Sequence, residues 1–227
     1  MSRIYNIIFF SMLTVISLCQ GKSIQESKSE RKSHRTEWML SDLVVKTTDS
    51  IQIKGKPEIV NFKNNQAVSF NGSSDAIFLE SMPLTGYEQF TIELIFRPAS
   101  GGNFEQRFLH CGEVQGDRVM LELRSTLTNW YFDAFIKAGD SQLALIEPGL
   151  LHPLDQWYHL AFVIDHGKLE TFVNKRKELE GKIRMTPLKN GKTSIGVRQN
   201  EISWFKGAIY KIRITPEALK PKNFMVD

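Results

Sequence analysis

Residues 155–181 leave a chain like this few architectures. Tyr158, Leu160, Phe162 and Ile164 alternate with Trp157, His159, Ala161 and Val163, a period of two that sorts side chains only in an extended strand. Asp165-His166-Gly167-Lys168 follows with turn chemistry: an aspartate that bonds its own backbone and a glycine that accepts positive φ. Leu169, Thr171 and Val173 then alternate with Glu170, Phe172 and Asn174, so the segment reads as two antiparallel strands and their turn. Residues 90–97 repeat the pattern, with Phe90, Ile92, Leu94 and Phe96 on one face and Thr91, Glu93, Ile95 and Arg97 on the other. The run stops at Pro98, which has no N–H for a central ladder.

Shorter β-prone runs lie at 43–45, 51–53, 59–62, 107–111, 118–124, 130–137, 142–146, 192–198 and 207–214. Runs 67–70 and 76–79, joined by Asn71-Gly72-Ser73-Ser74-Asp75, read as a hairpin with a glycine-containing loop. About thirteen strands, with turn signals every 8–12 residues, predict an all-β antiparallel sandwich of two sheets. No helical period beyond a turn or two interrupts them.

Residues 1–21 read as a secretory signal peptide: Arg3 gives a positive start, residues 7–18 an apolar run, and Cys19-Gln20-Gly21 a small-residue cleavage site. The run is 12 residues long, against roughly 20 for a membrane-spanning helix. A lipid anchor on Cys19 is disfavoured by Leu18, since such signals carry a small residue there. Residues 22–37, rich in Ser, Lys and Glu, read as a flexible polar linker, and residues 38–227 as one domain. The expected location is secreted, periplasmic or cell-surface.

The formal charge of +4 belongs to the leader and linker: residue 37 onward holds 23 basic and 23 acidic side chains. A balanced domain argues against a nucleic-acid-binding face, which clusters Lys and Arg. Cys111 is the only cysteine outside the leader, so the domain forms no internal disulfide and the thiol reads as a small buried hydrophobe.

Four motifs across residues 65–225 carry a resemblance. The central hairpin is similar to the W-H-H-V-A…Y-D-G…L-Y-V-N-G hairpin of laminin-G-like, concanavalin A-like jelly rolls. The turn at 71–75 resembles their F-D-G-x-x-D-Y element, with Asn71 in place of the usual aspartate. The strand at 90–98 resembles F-T-I-E-x-W-V-x-P, with Ile95 where tryptophan is common. Phe205-Lys206-Gly207-Ala208-Ile209 resembles the terminal F-x-G-x-I strand, and Pro216-Glu217-Ala218-Leu219 the R-A-L turn that caps it. The resemblance implies a jelly roll, and an exported binding module for carbohydrate or glycoprotein that requires no cofactor. Many such jelly rolls bind one Ca2+ through loop carboxylates and carbonyls. The resemblance implies Asp75, with Asn71, as ligands here, the other reading being a turn-stabilising aspartate.

Alternation also predicts what faces water. Val119, Leu121 and Leu123 point one way along their strand, and Trp130, Phe132, Ala134 and Ile136 do so on the next. Glu122, Arg124, Tyr131, Asp133 and Lys137 are left together on the opposite face, with Arg107, His110, His159, Arg198 and Trp204 as expected neighbours. An aromatic ring covers the apolar face of a pyranose, and charged groups bond hydroxyls or uronates. The same residues also suit a solvated face of cross-strand ion pairs. Trp157 reads as core and Trp204, in a polar loop, as the exposed ring.

An enzyme is the alternative. Glu122 and Asp133 are the candidate catalytic carboxylates of a glycoside hydrolase or lyase, and His110 beside Arg124 the candidate base. The E-x-D-x-E strand of laminarinase-type hydrolases is absent, and the closest strand reads Glu122-Leu123-Arg124. Residues 121–124 and 135–139 faintly resemble two strands of jelly-roll alginate lyases, but Ser141 or Asp140 stands where the lyase acid tyrosine belongs. A third reading is a structural module with a protein partner. The histidines show no zinc spacing, and no phosphate-cradling loop or Ser-His-Asp signature occurs.

Overall fold

The computed structural model describes residues 34–46 and 48–226. The expected signal peptide, the Cys19 anchor and residues 22–33 of the linker lie outside them. The described residues form sixteen strands in two antiparallel sheets. From edge to edge the first sheet runs β14 (Arg176–Lys182), β13 (Lys168–Val173), β12 (Tyr158–Asp165), β6 (Gln89–Pro98), β16 (Lys206–Thr215), β4 (Asn65–Asn71) and β3 (Glu58–Phe62), with β1 (Thr36–Met39) also paired to β16. The second runs β10 (Ser141–Ile146), β9 (Asn129–Ala138), β8 (Arg118–Ser125), β7 (Glu105–Gly112), β15 (Lys192–Ile195), β5 (Ala76–Leu79) and β2 (Ile51–Lys54), with β11 (His152–Pro153) also paired to β9.

The interior is what the alternation predicts. Phe90, Ile92, Leu94 and Phe96 of β6 and Leu160, Phe162 and Ile164 of β12 meet Val119, Leu121, Leu123, Trp130, Phe132 and Ile136 of the second sheet in one buried cluster. Phe96 sits at its centre, 4.9 Å from the Phe108 ring and 5.2 Å from Trp130, in contacts worth more than their area alone. The β12–β13 hairpin closes through His166 at φ 46° and Gly167 at φ 90°, the two positive φ values of a tight turn matched to strand twist. A Cβ on Gly167 would lie 2.4 Å from the Ile183 carbonyl oxygen, so glycine is required there.

The sequence expectation fails in four places. Residues 43–45 are helical, within α1 (Leu40–Val45). Leu40, Leu43 and Val44 share one side of this turn and pack on the core, so helical spacing overrides the β-propensity of the valines. Residues 67–79 are not a hairpin: β4 lies in the first sheet and β5 in the second. Val68 and Phe70 enter the core from one layer, Ile77 and Leu79 from the other, and the 71–75 turn carries the chain between them. Strand pairing begins at Thr36, inside the expected linker. Trp157 lies outside the main core, half-buried on the outer face of the first sheet, 4.3 Å from the Phe62 ring.

That outer face is partly roofed by the chain's last residues. Phe224 packs on Phe172 at 5.1 Å, and Met225 joins Phe62, Ala67 and Ile95. Beneath them Glu93, fully buried, accepts from Met225 N–H at 2.6 Å, from His159 Nε2 at 3.0 Å and from Arg213 Nε at 2.7 Å. These bonds, with Arg213's charge, outweigh desolvation and hold the Glu93 pKa below its ordinary value. His159 therefore belongs to this anchor on the first sheet and does not border the candidate patch.

Candidate functional site on the outer face of the second sheet

β7, β8 and β9 lie side by side, and their register assembles the site. Glu122 stands opposite Asp133 on one side and Arg107 on the other. Arg124 stands opposite Tyr131 and Glu105. Because Leu121 and Leu123 point inward, all of these side chains project from the outer face.

The charges form one network. Arg107 reaches Glu122 at 3.0 Å, Glu105 at 2.9 Å and the Ser203 hydroxyl at 2.5 Å. Arg124 reaches Asp133 at 2.5 Å, Glu105 at 3.2 Å and Glu122 at 3.7 Å. Two guanidinium groups thus face three carboxylates. Glu122 is 2% exposed and Asp133 5%. Burial pushes the Glu122 carboxyl up to about 7, the Asp133 charge adding to it and Arg107 and Arg124 opposing it. Burial likewise raises Asp133, while the bond from Arg107 holds Glu105 low.

His110 is not an open base. It is fully buried, its Nε2 lies 3.2 Å from the Glu113 carbonyl, and its Nδ1 accepts the Gln199 N–H at 3.3 Å. Those partners fix one neutral tautomer, and burial drives its pKa down to about 4. Trp204 follows Ser203 in a segment whose backbone bonds β7, Arg107 N–H donating to Ser203 O at 2.9 Å. Its ring is half-buried, with Lys54 Nζ 5.9 Å above it. Lys137 and Arg198 flank the network on the His110 side: Lys137 pairs in register with Arg118, and Arg198 donates to the Val114 carbonyl at 3.0 Å. Arg107, Glu122, Arg124, Tyr131 and Asp133 therefore converge, while Lys137, Arg198 and Trp204 form the rim. Glu105, Ser203 and Arg118 were not among the expected site residues. Alternation flags Arg118, four residues before Glu122 on the same strand, but nothing local ties Ser203 to Arg107.

At the 71–75 turn, Asp75 Oδ1 accepts Lys56 N–H at 2.9 Å and Oδ2 accepts Asn71 N–H at 3.0 Å. Asn71 Oδ1 accepts from Ser73, Ser74 and Asp75 N–H groups. These bonds are those of a turn-stabilising aspartate and asparagine. Among the described residues no group of three or more His, Cys, Asp or Glu is arranged to hold a metal.

Two stacked antiparallel sheets in this strand order are the architecture of a jelly-roll sandwich. The chain belongs to the concanavalin A-like lectin/glucanases superfamily, whose Laminin_G_3 family matches residues 71–223. Among solved structures it is similar to domain 4 of an extracellular arabinanase from Geobacillus stearothermophilus, determined with arabinotriose (22% identity, TM-score 0.58, 74% of this chain and 79% of that one). It is similar to the binding domain of botulinum neurotoxin serotype D (14%, TM-score 0.59), spanning 76% of this chain and only 44% of that one. A SAP-like pentraxin from Limulus polyphemus is similar too (17%, TM-score 0.55, 71% and 81%). At these identities the likeness concerns the fold. No curated protein sequence matches the chain. No helix among the described residues is long and apolar enough to cross a membrane.

Proposed function

We propose that this protein is an exported, non-catalytic module that binds a carbohydrate, free or on a glycoprotein, through the outer face of its second sheet. The observation that carries the reading is the convergence of Arg107, Glu122, Arg124, Tyr131 and Asp133 on three adjacent strands, with Trp204 at the rim. Arg107 and Arg124, locked in place by the carboxylates buried beneath them, leave their outer edges as fixed donors for sugar hydroxyls, and a rim ring offers a stacking surface. The similar arabinanase domain was determined with arabinotriose, which supports the same class of ligand. A glycan array probed with wild type and Trp204→Ala tests it. Saccharide binding that weakens in the variant, at unchanged melting temperature, is expected; a folded wild type that binds no glycan refutes it.

One observation favours a second reading, a polysaccharide-active enzyme. Glu122, with its pKa near 7, is able to hold a proton beside a second carboxylate, as a glycosidic acid must. Incubation with laminarin, alginate and arabinan, assayed for reducing ends and unsaturated products, separates the two. Turnover retained in Glu122→Gln removes that residue from any mechanism.

A further inference from the structure

The positive end of this face is not neutralised. Arg118 donates through Nη1 to the carbonyls of Gly116 at 2.8 Å and Gln115 at 3.2 Å, and Arg198 through Nη2 to the carbonyl of Val114 at 3.0 Å. Among the described residues neither has a carboxylate within ion-pair distance. The Nε–H of each is buried without an acceptor, as is that of Arg107, so it is their terminal nitrogens that remain for a ligand. Arg198's charge, after burial, is the largest influence lowering the Arg118 pKa, so the two cations repel each other here.

The surroundings relieve this only in part: Glu122, too distant for an ion pair, favours the charged form of Arg118. Lys137 stands in register with Arg118 and reaches only the Gln115 carbonyl, at 3.4 Å. Of the loop's two acids, Asp117 directs Oδ1 to the Gly139 N–H at 2.7 Å, and the Glu113 carboxylate lies against Gly116 without an ion pair to either arginine. His110 between the two arginines is neutral and already bonded at both nitrogens. The Phe135 ring lies under the Arg118 guanidinium at 4.8 Å, a cation–π contact that helps fix its position. Both arginines are half-exposed, and the terminal nitrogen that each does not use on the 113–117 loop has no acceptor among the described residues.

We propose that Arg118 and Arg198, with Lys137 alongside, form an oxyanion subsite that receives the carboxylate or sulfate of an acidic saccharide. The proposal deepens the carbohydrate reading given above and rests on it. An oxyanion supplies acceptors for the terminal nitrogens that the 113–117 loop leaves free, and the negative charge their mutual repulsion calls for. The Arg107–Arg124 end, which is matched by its own carboxylates, is left for the neutral hydroxyls of the same polymer.

Affinity electrophoresis of the full chain tests this in gels cast with polygalacturonate, dextran sulfate or neutral arabinan. The basic stretch at 22–36 is identical in every variant, so any retardation due to it cancels in the comparison. Wild type is expected to be retarded by at least one anionic polymer, polygalacturonate marking a uronate and dextran sulfate a sulfate ester. Arg118→Gln/Arg198→Gln is expected to weaken that binding about tenfold or more, as the loss of two charge-assisted hydrogen bonds requires. If the double variant melts early, Arg198→Gln alone carries the test, with an expected several-fold loss. Equal retardation of variant and wild type, or no retardation by either anionic polymer, overturns the subsite. Arabinan binding that survives in the double variant but fails in Trp204→Ala, with no response to polyanions, overturns the subsite while leaving the carbohydrate reading intact. Loss of all saccharide binding by wild type overturns both.

Discussion

Replacing Glu122 with glutamine should make the protein gain stability over wild type as pH rises. The Glu122 side chain is 3% exposed, and burial lifts its pKa from the ordinary 4.5 to about 7. A carboxyl with a raised folded pKa holds its proton more tightly in the folded state. Its contribution is complete below 4.5 and lost as pH climbs through 7. At about 1.36 kcal/mol per pKa unit, the change between pH 5 and pH 8 is roughly 2–3 kcal/mol. His110 pulls the other way: with its pKa lowered from 6.5 to about 4, its contribution is complete above 6.5 and lost as pH falls towards 4. The two slopes oppose each other in wild type, and Glu122→Gln removes the carboxyl's while the histidine's and that of the other shifted groups remain in both proteins. Urea unfolding of both proteins at pH 5 and pH 8 isolates the carboxyl. The stability of the variant relative to wild type is expected to rise by roughly 2–3 kcal/mol between those values. A difference that stays flat would refute the claim that Glu122 is buried beside Asp133 with too little compensating charge.

Three further outcomes follow from other parts of the molecule. Glu93→Ala leaves Arg213 and the Met225 N–H without their shared acceptor, and should cost about 3–5 kcal/mol in urea unfolding. It should also expose the C-terminal residues to limited proteolysis, and a cost below about 1 kcal/mol would contradict the anchor. Cys111, fully buried with its thiol pushed up to about 12, should resist alkylation in the native protein and react after unfolding, as read by peptide mass mapping. Gly167→Ala places a Cβ against the Ile183 carbonyl at positive φ and should destabilise by more than about 1 kcal/mol, measured by the urea midpoint.

Much of the fold was legible because period-two patterning is a local property. Phe90 to Phe96 and Leu160 to Ile164 declare their inward faces without reference to any partner, and the structure buries them. The pairing of β8 with β9 was legible for the same reason, so Glu122, Arg124, Tyr131 and Asp133 were grouped correctly. What escaped depends on residues far apart in the chain. Glu93 alternates like a solvent-facing residue, and only the return of Phe224 and Met225 buries it. His110 reads as open on its strand, yet Gln199 and Glu113 close over it. The turn at 71–75 has hairpin chemistry, but core filling from both layers sends β4 and β5 into different sheets. The sequence also concealed how far the outer-face arginines would shield the carboxylates beneath them, since alternation assigns a face and not its exposure.

The most direct test of the central claim is a backbone amide NMR titration of the chain with an arabino-oligosaccharide and with an oligogalacturonate. Shifts concentrated in β7, β8 and β9 and in residues 198–204 are the predicted result. Shifts confined to the first sheet around Trp157 and Tyr210, or none with any saccharide, would contradict it.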